Sequence, residues 1–138
     1  MKNYIALVLG VFIVFLSSCT SNKREGEPRI LVFSKTMGFK HSSISQGVEA
    51  VQKLGQENKI IVDTTKNAEI FNDDDLKKYS AIVFLNTTGN ILDAKQEAAF
   101  ERYIQAGGGF VGVHAASDTE HDWNWYVVEI WILRSGQK

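Results

Sequence analysis

The stretch Leu92–Ala115, "LDAKQEAAFERYIQAGGGFVGVHA", sets a helix, a glycine stop and an apolar strand in immediate succession. The helix reads from Asp93 to Ala106: Asp93 has the short acidic side chain that caps a first turn, and Gly107 can end the last turn in the left-handed conformation. "GFVGVHA" (Gly109–Ala115) is too short for a further helix and has no polar alternation, the pattern of a strand covered on both faces. The glycines Gly107–Gly109 precede this strand, whereas a phosphate cradle would follow one, so they have a turn role.

Working outward, the same grammar recurs. "AIVFLN" (Ala81–Asn86) and "RILVFS" (Arg29–Ser34) are continuous apolar runs, and "KIIVDTT" (Lys59–Thr65) is another strand. Between them Ile44, Val48, Val51 and Leu54 recur at spacings of three and four, the stripe of an amphipathic helix, with Ser42 or Ser43 as its N-cap. "NDDDLKKY" (Asn72–Tyr79) reads as a short helix with its aspartates at the positive end. Strands alternating with helices imply right-handed crossovers and a parallel sheet, hence a doubly wound α/β layer.

Such sheets bind ligands beyond the carboxyl ends of their strands. The loops expected there are "SKTMGFKHSS" (Ser34–Ser43), "NTTGN" (Asn86–Asn90) and "HAASDTEHDWNWY" (His114–Tyr126), and they contain all three histidines, His41, His114 and His121. "GVHAA" (Gly112–Ala116) has the small flanking residues of a nucleophile elbow, with a histidine at the nucleophile position. Imidazole is suited to moving protons near neutral pH or to ligating a metal; the plainer alternative is a strand-ending histidine bonded to nearby backbone. Asp118 could orient His114 or His121 as an acid/base pair, or His114, His121 and Asp118 or Asp122 could hold a metal, although no spacing matches an established zinc motif. A solvated acidic loop is the bland reading. Trp123 and Trp125 suit either sugar stacking or core packing.

The first 18 residues combine Lys2, an apolar run from Ile5 to Leu16 and small residues before Cys19, which is the pattern of a secretory signal. The run falls short of the roughly 20 residues of a spanning helix. "LSSC" (Leu16–Cys19) has the form of a bacterial lipobox, so Cys19 is expected to be lipidated, with residues 19–28 as a polar tether. Thr20 is not an aspartate, which favours an outer-membrane location in the cell envelope. Cys19 is the only cysteine, so no intrachain disulfide can form. The formal charge of −1 is evenly mixed, and without a basic stripe nothing points to nucleic acid.

"RILVFSKTMGFKHSSI" (Arg29–Ile44), "AIVFLNTTGNIL" (Ala81–Leu92), "FERYIQAGGGFVGVHAASDT" (Phe100–Thr119) and "DWNWY" (Asp122–Tyr126) together resemble the ThuA-like family of the class I glutamine amidotransferase-like superfamily. That resemblance implies a flavodoxin-like fold and a carbohydrate small molecule, trehalose or a related or oxidised sugar, as partner. It names no cofactor. It also implies that amidotransfer is absent, because His114 stands where that superfamily has its nucleophilic cysteine. Carried over by motif, His41, Thr87, Thr88, Gly89, His114, Ser117 and Asp118 would line the site.

The expected function is a sugar-active hydrolase or isomerase using His114 with Asp118; the alternatives are a non-catalytic sugar-binding module on Trp123 and Trp125, or an inactive fragment. The family likeness covers residues 29–126, while 127–138 reads as an atypical tail with no amphipathic helix to cover the fourth strand, so the domain is expected to be incomplete at its C-terminus.

Overall fold

The computed structural model describes residues 26–128; the signal segment and Cys19, with the end of the tail, lie outside them. Four strands, β1 (Arg29–Phe33), β2 (Ile61–Thr65), β3 (Ala81–Leu85) and β4 (Gly109–Val113), form one sheet in the order β2-β1-β3-β4. Every pairing is parallel, with Ile30 beside Val62 and Ala81, and Ile82 beside Phe110. Helices α1 (Ile44–Asn58), α2 (Asp73–Leu76) and α3 (Ala94–Gln105) make the crossovers. This is the doubly wound layer that the alternating pattern predicts.

The two sheet faces have unequal cores. On one, Leu31, Phe33, Ile82 and Phe84 join Phe71, Leu76, Phe100 and Tyr103 in a large aromatic cluster. Phe84 and Phe100 stack at 5.4 Å, and Phe33 and Phe71 meet edge-on at 4.7 Å, geometries worth about 0.5–1.5 kcal/mol each beyond area burial. On the other, Val32, Val83 and Leu85 pack under Val48 and Val51 of α1. The apolar stripe of α1 drifts outward at its end: Leu54 is 56% exposed, and Gly55 meets the sheet instead. A Cβ on Gly55 would collide with the side chain of Val62, so the glycine sets how closely the helix approaches β2.

The helix ends follow their chemistry. Asp93 accepts from the backbone of Lys95 and Gln96 while Gln96 reaches back to Asp93 N–H, a complete capping box. Asn72 caps α2, accepting from Asp75 N–H. Ser43 occupies the N-cap position of α1 with helical backbone (φ −77°, ψ −2°) and makes no capping bond; its hydroxyl accepts from Asn86 instead. Gly107 ends α3 with φ of 89°, the left-handed turn expected of it.

β4 is shorter than its apolar run, stopping at Val113 where a 3-10 turn (His114–Asp118) begins. The two sides of this strand differ. Phe110 packs on the aromatic core, whereas Val111 is 48% exposed, so cover on both faces is not what the described residues provide. A helical turn starts at residue 124 and is followed to residue 128, where the sequence led us to expect none. Its signal is hidden because Trp123, Trp125 and Tyr126 are bulky on nearly every side, which blurs the apolar stripe.

Candidate functional site

Three loops converge at the carboxyl edge of the sheet, as the topology requires. A ridge joins them. Thr88 accepts from Met37 N–H at 2.8 Å through its carbonyl and donates from its hydroxyl to the Phe39 carbonyl at 3.0 Å. Gly89 donates its N–H to the Asp118 carbonyl at 2.8 Å, and the Thr87 and Thr119 hydroxyls pair at 2.8 Å. Gly89 has φ of 74°, and a Cβ there would lie 3.2 Å from that of Met37. Only glycine meets both demands without strain.

Thr87, Thr88 and Gly89 therefore hold the edge together. Both threonines are buried, so they act behind the surface and not as its lining.

On the α1 side of the ridge, His41 and His114 stand ring to ring, 4.7 Å between centroids at 70°. Phe39 stacks edge-on against His41 at 4.9 Å. Phe39 and Met37 are 71% and 65% exposed, an open apolar shelf beside the two imidazoles. Beneath them Asn86 donates to the Ser43 hydroxyl at 3.2 Å, while its Oδ1 is buried with no hydrogen-bond partner. His114 and Asn86 both adopt left-handed backbone, φ of 50° and 52°. Asparagine tolerates that region, whereas at His114 it costs on the order of 1–3 kcal/mol, and such strain gathers at functional sites. The sharp turn at His114 is the elbow that its small neighbours allow, with Ser117 donating to the His114 carbonyl at 3.2 Å.

The remaining acidic groups are distributed differently from the expected pairing of His114 with Asp118. Asp118 binds His121 Nε2 at 2.8 Å, an exposed contact between neighbouring turns, and Asp122 accepts from Asn90 at 2.8 Å. Among the described residues no three His, Cys, Asp or Glu side chains gather as a metal site would need, so the set of His114, His121 and Asp118 or Asp122 is not assembled. Trp123 and Trp125 stack on each other at 4.9 Å and press against Phe100, which makes them part of the aromatic core. Core packing is the role the structure gives them.

Sequence reasoning missed one group entirely. Glu120, singled out by none of the readings of its loop, is 1% exposed. Its Oε1 accepts from Ile91 and Leu92 N–H, each at 2.7 Å, across the ridge from the histidines. Burial pushes its carboxyl above the usual range, against the opposing pull of those two N–H groups and of Lys35. Nearby, burial also raises the Tyr126 phenol, which donates to the Ala116 carbonyl at 2.8 Å. Nothing in the run Asp118–Asp122 marks Glu120 as the member that turns inward; Phe39 and Asn86 were likewise visible only as loop residues.

The family model for trehalose utilisation, ThuA, matches residues 29–128. The chain belongs to the ThuA family. A crystal structure of a protein described as ThuA-like, from Bacteroides uniformis ATCC 8492, superposes with a TM-score of 0.62 at 26% identity. The alignment covers 78% of this chain and 45% of the other, so the chain spans less than half of that relative's length. Among curated proteins none matches. The shared α/β layer agrees with the topology above. Among the described residues of this ThuA domain, no helix is long and apolar enough to cross a membrane.

Proposed function

We propose that this ThuA domain moves a proton on a sugar, with His41 and His114 as the exchanging pair and Phe39 as the face on which the sugar ring rests. The observation that carries this reading is the ring-to-ring approach of the two imidazoles at 4.7 Å, with His114 on left-handed backbone. Two imidazoles can serve as donor and acceptor in one step, and general acid–base help of this sort is worth about 10²–10⁴-fold.

The reaction proposed is isomerisation, with the two rings in direct contact and not held apart to admit a water. Carboxyl pairs that cleave glycosidic bonds stand about 5–9.5 Å apart to straddle the bond or admit water. Taking a proton from one sugar atom and returning it to its neighbour needs less room, and suits a substrate carrying a carbonyl, whose adjacent C–H is acidic. Asp118 then has no direct part. It holds His121 instead.

The test is solvent exchange. Aldoses, ketoses and keto-disaccharides incubated with the protein in D2O should gain carbon-bound deuterium, followed by NMR. His114→Asn keeps a residue that tolerates left-handed backbone and removes the imidazole, so it should abolish exchange without unfolding the chain. A sugar that binds yet gains no deuterium would overturn the reading.

The exposed Phe39 ring supports a second reading, sugar binding without chemistry. In that case Phe39→Ala weakens affinity while His114→Asn leaves it unchanged. We further propose that acylated Cys19 anchors the domain to the outer membrane of a bacterial envelope, on the strength of the sequence "LSSC" before a polar tether.

A further inference from the structure

Across the ridge from the histidines, a cleft of about 360 Å³ opens between the ends of β1 and β2 and the loop before α3. Lys35, Lys66, Asn67, Glu69, Asp93 and Gln96 supply its polar wall, with neither histidine of the pair among the lining residues. We infer that this cleft is a second small-molecule site, built for a neutral polyhydroxylated ligand such as a free sugar or sugar alcohol.

Two lysines face two carboxylates, so the wall has no formal excess, and a ligand with a full charge gains nothing net from it. Hydrogen-bonding capacity is the larger feature. Asn67 Oδ1 is committed to Glu69 N–H and Gln96 Oε1 to Asp93 N–H, which fixes both amides and leaves their NH2 groups as unused donors. Lys35 Nζ spends one proton on the Ile91 carbonyl at 2.7 Å and keeps two. Asp93 Oδ1 is held by the cap of α3, which leaves its second oxygen and the Glu69 carboxylate as acceptors. Donors and acceptors in comparable number, around a wall with no aromatic ring, match hydroxyl groups, each of which both gives and takes a hydrogen bond.

The floor is preorganised. Ile91 and Leu92 line the cleft, and their N–H groups are pinned from behind by the buried carboxylate of Glu120. Lys35 is therefore aimed by a backbone segment that is itself fixed, so little side-chain freedom remains to be lost on binding. Glu120 is a positioning residue for this cleft.

The experiment is an amide chemical-shift titration of the full chain with trehalose, glucose and glucitol, with gluconate and glucose 6-phosphate as charged arms. Neutral probes should shift the amides of Asn67, Ile91 and Leu92. Lys35→Met should weaken that binding about tenfold or more, the worth of a hydrogen bond to a charged donor. Lys66→Ala, at an exposed position, should weaken it several-fold while leaving the spectrum of the free protein intact.

Shifts produced by the charged probes alone would overturn the assignment in favour of an anion site. No shift from any probe at tens of millimolar would overturn it outright. Shifts confined to Phe39, His41 and His114 would overturn the cleft while sustaining the histidine site, and the converse pattern would sustain the cleft alone.

Discussion

The two sides of the ridge at the carboxyl edge handle their polar groups in opposite ways. On the α1 side, His41 and His114 sit at the surface on a backbone that is strained at His114, with the amide oxygen of Asn86 left unpaired. On the α3 side, Glu120 is also on left-handed backbone but is buried, and both neighbouring N–H groups are satisfied by one carboxylate oxygen. The same backbone conformation underlies the proposed reacting surface in one place and a fixed support in the other. An unpartnered amide oxygen on one side, and backbone N–H groups met by a buried carboxylate on the other, is what separates the two.

That contrast can be broken by mutation. The largest effect expected is on turnover: His114→Asn should lower proton exchange by about 10²–10⁴-fold with a melting temperature close to that of the parent. Glu120→Ala should do the reverse. It strips two buried N–H groups of their acceptor and should cost about 3 kcal/mol in denaturant unfolding, while any loss of exchange follows the folded fraction.

Gly89→Ala strikes the ridge between them, where positive φ and the approach of Met37 should cost about 1–2 kcal/mol. Glu120→Gln should change the pH dependence more than the magnitude. Because burial raises the folded-state carboxyl above its unfolded value, the folded chain holds that proton more tightly. Stability contributed at this position should fall as pH climbs from the ordinary carboxylate range through the raised value, then level off. The glutamine variant should lack that slope in melts taken across acidic to neutral pH. Asp118→Asn should matter least, within about 0.5 kcal/mol, since its contact with His121 is exposed. A large loss of exchange in that variant would restore Asp118 to the chemistry.

How much of this was legible in the sequence depended on whether the signal is periodic. Apolar runs such as "RILVF" and "AIVFL" and the Asp93–Gln96 box announce strands and a helix start because backbone geometry imposes their spacing. The layer and its ligand edge follow from that alternation. The site was legible only as a set of loops. His41 and His114 lie more than seventy residues apart in sequence, and nothing local tells that their rings meet.

Side-chain direction was the weaker inference throughout. Asp118 is near His114 in the chain, yet the 3-10 turn carries its carboxylate to His121. Glu120 could not be told from the other carboxylates of its loop, and its inward turn depends on a positive φ that a glutamate rarely adopts. Trp123 and Trp125 offered flat faces for a sugar, but they stack on each other and pack, half-buried, against the aromatic core. Composition identifies a capable group; only packing assigns it to a surface or to a core.

The strand order has a consequence for synthesis on the ribosome. β1 emerges first but lies inside the sheet, between β2 and β3. Translation at about 5–20 residues per second leaves a gap of several seconds between Ile30 and its partner Ala81. Through that interval the most apolar early segment of the domain presents a bare pairing edge to every nascent chain around it, which makes β1 the natural place for a chaperone to hold.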